Sequence, residues 1–238
     1  MGTINFTSPY NYSVSFPLAW REGSFKPTAT SDFLIKAICQ ESSSPVRTLL
    51  DLGCGIGVVG LALMKHNVTE KLYASDLSLE SVALTKYNCH QNNVDVDARV
   101  SDIFENWVGL KMDVIANDIS GIAEDVAKAS VWFDNVPSNS GADGTDNVIK
   151  VIEQAKSFLN PNGVLYFPAI SLSNCSKIID AAKSQFNNVK KISSNPWFLP
   201  DEMTKDIDFL EIQAYKGNIS YEVKFGKVIC YTDIYSAQ

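Results

Sequence analysis

Histidine is nearly missing from this chain: 238 residues contain two, His66 and His90, and both fall in segments patterned as helices. The five cysteines, Cys39, Cys54, Cys89, Cys175 and Cys230, are scattered, with no C-x-x-C pair. Together these residues spell neither a disulfide framework nor a zinc site, and no metal is expected. Long apolar runs are also missing. No segment approaches the ~20 apolar residues of a membrane span. The first residues show no basic region followed by an apolar core, so no secretory leader is expected and a reducing cytoplasm is the expected location. Positive charge is short as well, with 20 Lys and Arg against 27 Asp and Glu and a net charge of −7. An acidic surface repels phosphate backbones, which makes nucleic acid an unlikely partner. The most basic short stretch holds only Lys190 and Lys191 side by side. Neither low-complexity runs nor internal repeats are found. What remains is 45% hydrophobic, enough to bury the core of one domain, with or without an appendage.

Residues 1–30 are polar, aromatic and irregular, and a short helix is expected from Ser31 or Asp32, as N-cap, through Ile38. From Arg47 onward strands and helices alternate. Strands are expected at Arg47–Leu52, Lys71–Ser75, Val96–Val100, Met112–Ala116 and Val164–Ile170. Helices are expected at Val58–His66, Leu79–Gln91, 119–130, Asp146–Leu159 and Ser173–Phe186. The helix from Asp146 is the most periodic, with Val148, Ile149, Ile152, Ala155 and Leu159 on one face. Asn160-Pro161-Asn162-Gly163 reads as a turn. Alternation of this kind gives an α/β fold, a doubly wound, Rossmann-like, mostly parallel sheet with helices on both faces. Phe209–Tyr215, Tyr221–Phe225 and Lys227–Tyr231 read as antiparallel C-terminal strands.

The chemistry-bearing residues lie where such strands end. Strand Arg47–Leu52 runs into Asp51-Leu52-Gly53-Cys54-Gly55-Ile56-Gly57 and then a helix. Glycines let a backbone turn tightly and approach a ligand, and the N–H groups opening the next helix attract an anion. That anion is pyrophosphate in a dinucleotide and the amino-acid carboxylate in S-adenosylmethionine, with Asp51 placed for the latter's ammonium. The second strand ends in Asp76-Leu77, an acid at the distance that suits two ribose hydroxyls. The third ends in Asp102-Ile103-Phe104. Asp102 suits an adenine amino group, and Ile103 or Phe104 could cover the ring. Gly55-Ile56-Gly57-Val58-Val59-Gly60 also spells a dinucleotide fingerprint with Asp76 behind it, so an NAD-dependent dehydrogenase is the rival enzyme. Asp51, Gly53, Asp102 and the antiparallel end argue against it.

Asp51–Gly57, Asp76 and Asp102 resemble the first three binding motifs of class I S-adenosylmethionine-dependent methyltransferases, over roughly residues 45–215. The resemblance implies S-adenosylmethionine as cofactor. It places Asp51, Gly53, Cys54, Gly55, Gly57, Asp76, Leu77, Asp102, Ile103 and Asn117 around it. Two units are expected: residues 1–44, a segment and helix covering the donor and acceptor site, and residues 45–238, the donor-binding domain.

The fourth strand ends in Asn117-Asp118-Ile119-Ser120. Methyltransferases acting on amide or exocyclic amine nitrogens carry Asn-Pro-Pro-aromatic here, and this chain keeps the Asn alone. Phe25-Lys26-Pro27-Thr28 and Gly141–Asp146 resemble the release-factor glutamine methyltransferase group, whereas Asp118–Ser120 depart from it. Asn117 and Asp118 are therefore the candidate catalytic pair, Asp118 as general base or, alternatively, as N-cap of helix 119–130. The loop Trp132–Asp146, with Phe133 and Pro137, is expected over the acceptor pocket. The expected activity is methylation of nitrogen on a protein side chain or small molecule. A non-catalytic module that binds the donor is the further alternative.

Overall fold

The computed structural model describes residues 1–24, 26–119, 121–130, 132 and 139–238. Strands β1 (Gly2–Thr7) and β2 (Ser15–Trp20) form an antiparallel hairpin. Helix α1 (Ala29–Glu41) follows, then β3 (Val46–Leu52), α2 (Val58–Lys65), β4 (Thr69–Asp76), α3 (Leu79–Gln91), β5 (Val96–Val100) and β6 (Met112–Asn117). The second half comprises α4 (Glu124–Ala129), α5 (Asp146–Ala155), β7 (Leu159–Ile170), α6 (Cys175–Gln185) and β8 (Val189–Phe198). Two short helices, α7 (Asp201–Thr204) and α8 (Ile207–Tyr215), lead to β9 (Glu222–Lys224) and β10 (Lys227–Ala237).

The main sheet runs in the order β5-β4-β3-β6-β7-β10-β8. Strands β5, β4, β3, β6 and β7 are parallel. Strand β10 is antiparallel to β7, β8 and β9, so the mixed sheet expected from the alternation is present. The chain fills one half outward from β3 to β5 and then returns to the other side of β3 with β6. The topological switch therefore lies between β3 and β6, and open α/β sheets bind ligands outside the carboxyl ends of strands at such a point.

The sheet's two faces bury separate clusters. Leu34, Ile38, Leu49, Val59, Leu61 and Leu84 join α1, α2 and α3 on one face. Leu50, Trp107, Ile115, Val148, Ile152, Leu165 and Phe167 join α5 and α6 on the other. A third cluster, including Val126, Leu172, Leu199, Met203, Leu210 and Cys230, fills the end where α4, α7 and α8 meet β10. Among the described residues no helix is long and apolar enough to cross a membrane.

Several boundaries differ from the sequence expectations, each for a physical reason. The first residues are not irregular: Phe6, Phe16 and Leu18 alternate inward from the hairpin onto the first cluster. Helix α1 starts before Ser31 and follows Thr28, so neither Ser31 nor Asp32 is its N-cap. Asn160–Gly163 do not end the sheet element. They are absorbed in β7 as a register shift, with Met112 opposite Leu159 but Val114 opposite Val164. Residues 189–198 form a strand of their own, β8, set against β10. Phe209–Tyr215 is helical rather than extended. Asp206 Oδ1 accepts from the Phe209 N–H at 3.0 Å, and Leu210 and Gln213, three residues apart, are both buried.

Candidate active site

A cleft of about 520 Å³ opens at the carboxyl ends of β3, β4, β5 and β6, at the topological switch. Its wall includes Gly53, Cys54, Gly55, Ile56 and Val58 from the turn after β3. Asp76, Leu77 and Ser78 come from the end of β4, Asp102 and Ile103 from beyond β5, and Asp118 and Ile119 from beyond β6.

The glycine turn is held tightly. Gly53 and Cys54 both donate to the Ser75 carbonyl, at 2.8 and 2.9 Å, and Gly57 donates to the Cys54 carbonyl at 2.7 Å. Gly53, Gly55 and Gly57 all adopt positive φ, at 79°, 52° and 87°. A Cβ on Gly53 would lie 2.7 Å from Ile119 Cγ1, because the chain just beyond β6 packs directly on the turn. The Gly55 N–H donates to Asp76 Oδ2 at 2.9 Å, and the Ser78 N–H donates to Asp76 Oδ1 at 2.9 Å. Asp76 is thus fixed by two backbone donors while remaining on the cleft wall, with lone pairs left to accept from a ligand. The turn's N–H groups at Gly53, Cys54, Gly55 and Gly57 are therefore occupied. Those of Ile56 and Val58, at the mouth of α2 and on the cleft wall, have no acceptor among the described residues.

Asp51 stands behind the turn instead of on the cleft wall. It is fully buried, its Oδ2 accepts from the Gly60 N–H at 2.8 Å, and its Oδ1 has no partner. Burial pushes its carboxyl up to about 8, opposed by the Gly60 bond and reinforced by the charges of Asp118 and Asp76. Leu77 is 72% exposed, an apolar side chain left open on the wall. Ile103, also on the wall, takes a positive φ of 49°, which a β-branched residue rarely adopts. Its carbonyl accepts from Ser101 Oγ at 3.0 Å. Phe104, the other residue expected over a ring, is core: it stacks on Phe158 with centroids 4.5 Å apart.

At the end of β6, Asn117 is fully buried, its Oδ1 accepts from the Ile119 N–H at 3.2 Å, and its Nδ2 has no partner. Asp118 is partly buried on the cleft wall. Its N–H donates to the Leu52 carbonyl at 2.9 Å, and its Oδ2 accepts from Ser31 Oγ at 2.7 Å. Burial pushes its carboxyl up to about 7, with Ser31 opposing and the Asp32 charge adding. Asp32 is itself pushed up to about 6 by burial. The cap reading of Asp118 does not hold, since α4 begins at Glu124 after Ala123.

Ser31, Lys26, Pro27 and Gly23 bring the segment after the hairpin to the cleft, and Asn139 and Asn147 complete it. Sequence reading singled out Lys26-Pro27-Thr28 only for its resemblance and gave Ser31 a capping role. Their meeting with Asp118 has no signal along the chain. Trp132 lies away from the cleft, edge-on to Trp197 at 5.7 Å in the third cluster. Phe133, Pro137, Phe25 and Ser120 fall outside the described residues. Gly141–Asp146 form a bonded turn in which Asp143 Oδ1 accepts from Thr145 Oγ1 at 2.7 Å and Oδ2 pairs with Lys177 at 3.0 Å. Among the described residues no His, Cys, Asp and Glu cluster could hold a metal ion.

The methyltransferase small domain profile matches residues 27–199, from the loop before α1 to the end of β8. The chain belongs to this family. The family is one of methyltransferases, so the dehydrogenase reading falls, and the chain spans little more than half the length of the first relative it matches. It is 30% identical over 169 residues to a release factor glutamine methyltransferase of Haemophilus influenzae, covering 63% of this chain and 58% of that one. It is 26% identical to a putative protein N5-glutamine methyltransferase of Methanocaldococcus jannaschii, covering 67% and 78%. Solved structures share the fold at low identity. A T. thermophilus 16S rRNA methyltransferase in complex with AdoMet and guanosine superposes with a TM-score of 0.59 at 14% identity, over 98% of this chain and 50% of that one. A ribosomal protein L11 methylase from Lactobacillus delbrueckii superposes with a TM-score of 0.53 at 18% identity, over 88% and 80%.

Proposed function

We propose that this domain methylates nitrogen, on a protein side chain or a small molecule, with the acceptor held at the end of β6. The observation that carries the reading is the bond from the Asp118 N–H to the Leu52 carbonyl, 2.9 Å long. It ties the acceptor-side strand end to the residue that opens the donor turn, so a carboxylate on the cleft wall lies next to where a donor would be held. The named glutamine methyltransferase relatives support a protein acceptor.

The residues present fit the donor. The backbone cradle around Gly53 excludes a side chain. Asp76 keeps lone pairs for ribose hydroxyls, Asp102 is placed for the adenine amino group, and Leu77 and Ile103 offer apolar faces for the ring. The N–H groups of Ile56 and Val58 suit the donor's carboxylate. Asp51, expected to meet the donor's ammonium, lies behind the turn and off the cleft wall, so it acts on the turn through its bond to the Gly60 N–H. Residues 1–44 act as a covering segment through Lys26, Pro27 and Ser31. When bound, S-adenosylmethionine supplies an electrophilic methyl group. In-line transfer asks of the protein chiefly alignment and removal of a proton. Asp118, on the cleft wall, is the candidate to take that proton, and Asn117, buried beside it and off the wall, remains the candidate to orient the nitrogen.

The test is donor binding together with label chemistry. Calorimetry should show S-adenosyl ligands binding and NAD not binding. Transfer of labelled methyl into cell extract should then give products whose label resists mild base, as methyl on nitrogen does. Base-labile methyl esters would overturn the nitrogen reading. Donor binding without any transfer would favour the non-catalytic module.

A further inference from the structure

Strands β8 and β10 pair antiparallel from Phe198 opposite Ile229, and a hairpin closes such a pair with about two to five residues. Here the chain instead makes a long excursion through α7, α8 and β9, all of it beyond residues 27–199 that the family profile matches. Thr232 of β10 lies opposite Ile170, the last residue of β7. The excursion therefore stands beyond the carboxyl end of β7, on the sheet edge that carries the cleft. It packs on the acceptor side of that edge. Met203 and Leu210 join Ile122, Ala123, Val126 and Ala127, which follow β6, in the third cluster. The Ser220 N–H donates to the Ser171 carbonyl at 2.7 Å, and the Ala123 N–H to the Leu172 carbonyl at 2.8 Å.

The outward side of α8 carries large apolar groups. Leu210 and Gln213 are buried, while Ile207, Asp208, Glu211, Ile212 and Tyr215 are exposed and fall on one helical face, Tyr215 at 95%. The β9–β10 turn adds a second bare aromatic. Lys224 opposes Lys227, which leaves Phe225 and Gly226 as the turn residues, with φ of 53° and 73°. Asn-Gly suits such a turn, whereas Phe there is strained, and its ring is fully exposed. Neither ring serves the core, and exposed apolar groups gathered in this way mark a contact surface. Charge says what it contacts. Residues 201–216 carry Asp201, Glu202, Asp206, Asp208 and Glu211 against Lys205 and Lys216. Among the described residues no ion pair engages Glu202, Asp208 or Glu211. Such a face repels a phosphate backbone. A second copy would set the same acids against one another, in a chain of net charge −7.

We propose that the outward face of α8 and the β9–β10 turn dock the methyl acceptor, and that the acceptor is a protein whose docking segment joins Lys or Arg to apolar side chains. The inference rests on the nitrogen reading above and narrows its acceptor to a protein. The partner's apolar groups cover Ile212, Tyr215 and Phe225, and its cations pair with Asp208 and Glu211. Docking beside the cleft raises the local concentration of the side chain to be methylated.

The experiment uses the full chain, with labelled S-adenosylmethionine and cell extract as the source of acceptors. Products are sorted by size and by digestion with protease or ribonuclease. Two variants are compared with the wild type: Ile212→Ser combined with Tyr215→Ser, and Phe225→Asn. Both should bind the demethylated donor as the wild type does by calorimetry. Tm should hold in the first and hold or rise in the second, because Asn-Gly suits the turn. Label entering the protease-sensitive fraction should fall by about tenfold or more in the first and by a smaller factor in the second. Wild-type transfer should also weaken as ionic strength rises. Protein labelling that stays at the wild-type level in both variants overturns the inference. Label that is ribonuclease-sensitive, or confined to the small fraction, overturns it as well. When such label resists mild base, nitrogen methylation still stands. Base-labile label, or none at all, overturns the nitrogen reading and the inference resting on it. A dimer in sedimentation that the first variant splits assigns the face to a second copy and overturns the inference alone.

Discussion

Ser31 Oγ donates to Asp118 Oδ2 at 2.7 Å, joining the first turn of α1 to the residue that follows β6 across 87 positions of chain. The bond favours the ionised carboxylate and works against the burial that raises it. Ser31→Ala should therefore push the Asp118 carboxyl further up. The rise of kcat/KM with pH, centred near 7 in the wild type, should move to higher pH. Affinity for the demethylated donor should not change. An unmoved profile would mean that another group sets the limb.

Asp118 also makes stability depend on pH. Its folded pKa is raised above the ordinary carboxyl value, so the folded state holds the proton more tightly. That stability is complete below the unfolded pKa, near 4, and is lost as pH rises through about 7. Asp118→Asn should accordingly be close to neutral at pH 4 and stabilising by roughly 1–3 kcal/mol at pH 8. This is less than the full conversion of the shift, because the group is partly open to water. Denaturant melts at the two pH values measure it.

Asp76→Ala removes the acceptor of both the Gly55 and Ser78 N–H bonds, as well as the proposed ribose contact. Donor affinity should fall by about 1–3 kcal/mol. Leu77→Ala separates ligand contact from folding. Leu77 is largely exposed, so its loss should shift Tm little while weakening binding of the demethylated donor by roughly 1 kcal/mol. Equal affinities in wild type and Leu77→Ala would remove Leu77 from the adenine face.

Gly53→Ala should harm both folding and binding. The position has a φ of 79°, and the new Cβ would meet Ile119 Cγ1 at 2.7 Å and the Ile119 backbone nitrogen at 3.0 Å. A loss of about 1–3 kcal/mol in stability is expected, with weaker donor binding because Ile119 lies on the same cleft wall.

Asn88 is fully committed inside the protein. Its Oδ1 accepts from the Ala19 N–H at 2.7 Å, and its Nδ2 donates to the Ala19 carbonyl at 3.0 Å and the Ile56 carbonyl at 2.8 Å. It thereby locks the N-terminal hairpin to the donor turn. Asn88→Ala leaves three buried backbone groups without their partner and should cost roughly 2–4 kcal/mol. Hydrogen exchange should show the Ala19 amide losing protection first.

Those expected residues that line the cleft were legible because they are local, whereas Asp51, Gly57 and Asn117 were expected beside them and do not line it. Strand, glycine turn and helix follow one another within a dozen residues. Asp76 and Asp102 each mark the carboxyl end of the next strand, where a parallel sheet must present its ligand. Phe209–Tyr215 was misread because its apolar residues satisfy a strand as well as a helix, and the cap at Asp206 decides between them only in three dimensions. The hairpin of residues 2–20 was missed for a related reason. Short alternating strands are stabilised by the surface they land on, here α3 with Asn88 and Asn92 accepting and donating to β2.

By itself the sequence determined the alternation of strands and helices from β3 through α6, the glycine turn and the acids that follow the strands, because period and turn chemistry act over a few neighbouring residues. Only the tertiary structure decided which groups share the cleft. It moved Asp51 behind the turn and Phe104 into the core, and it placed Ser31 against Asp118. The physical reason is that desolvation and hydrogen bonding depend on what packs against a side chain. For Asp118 those neighbours come from 87 residues away, set by the return of the chain across β3 and not by any pattern along it.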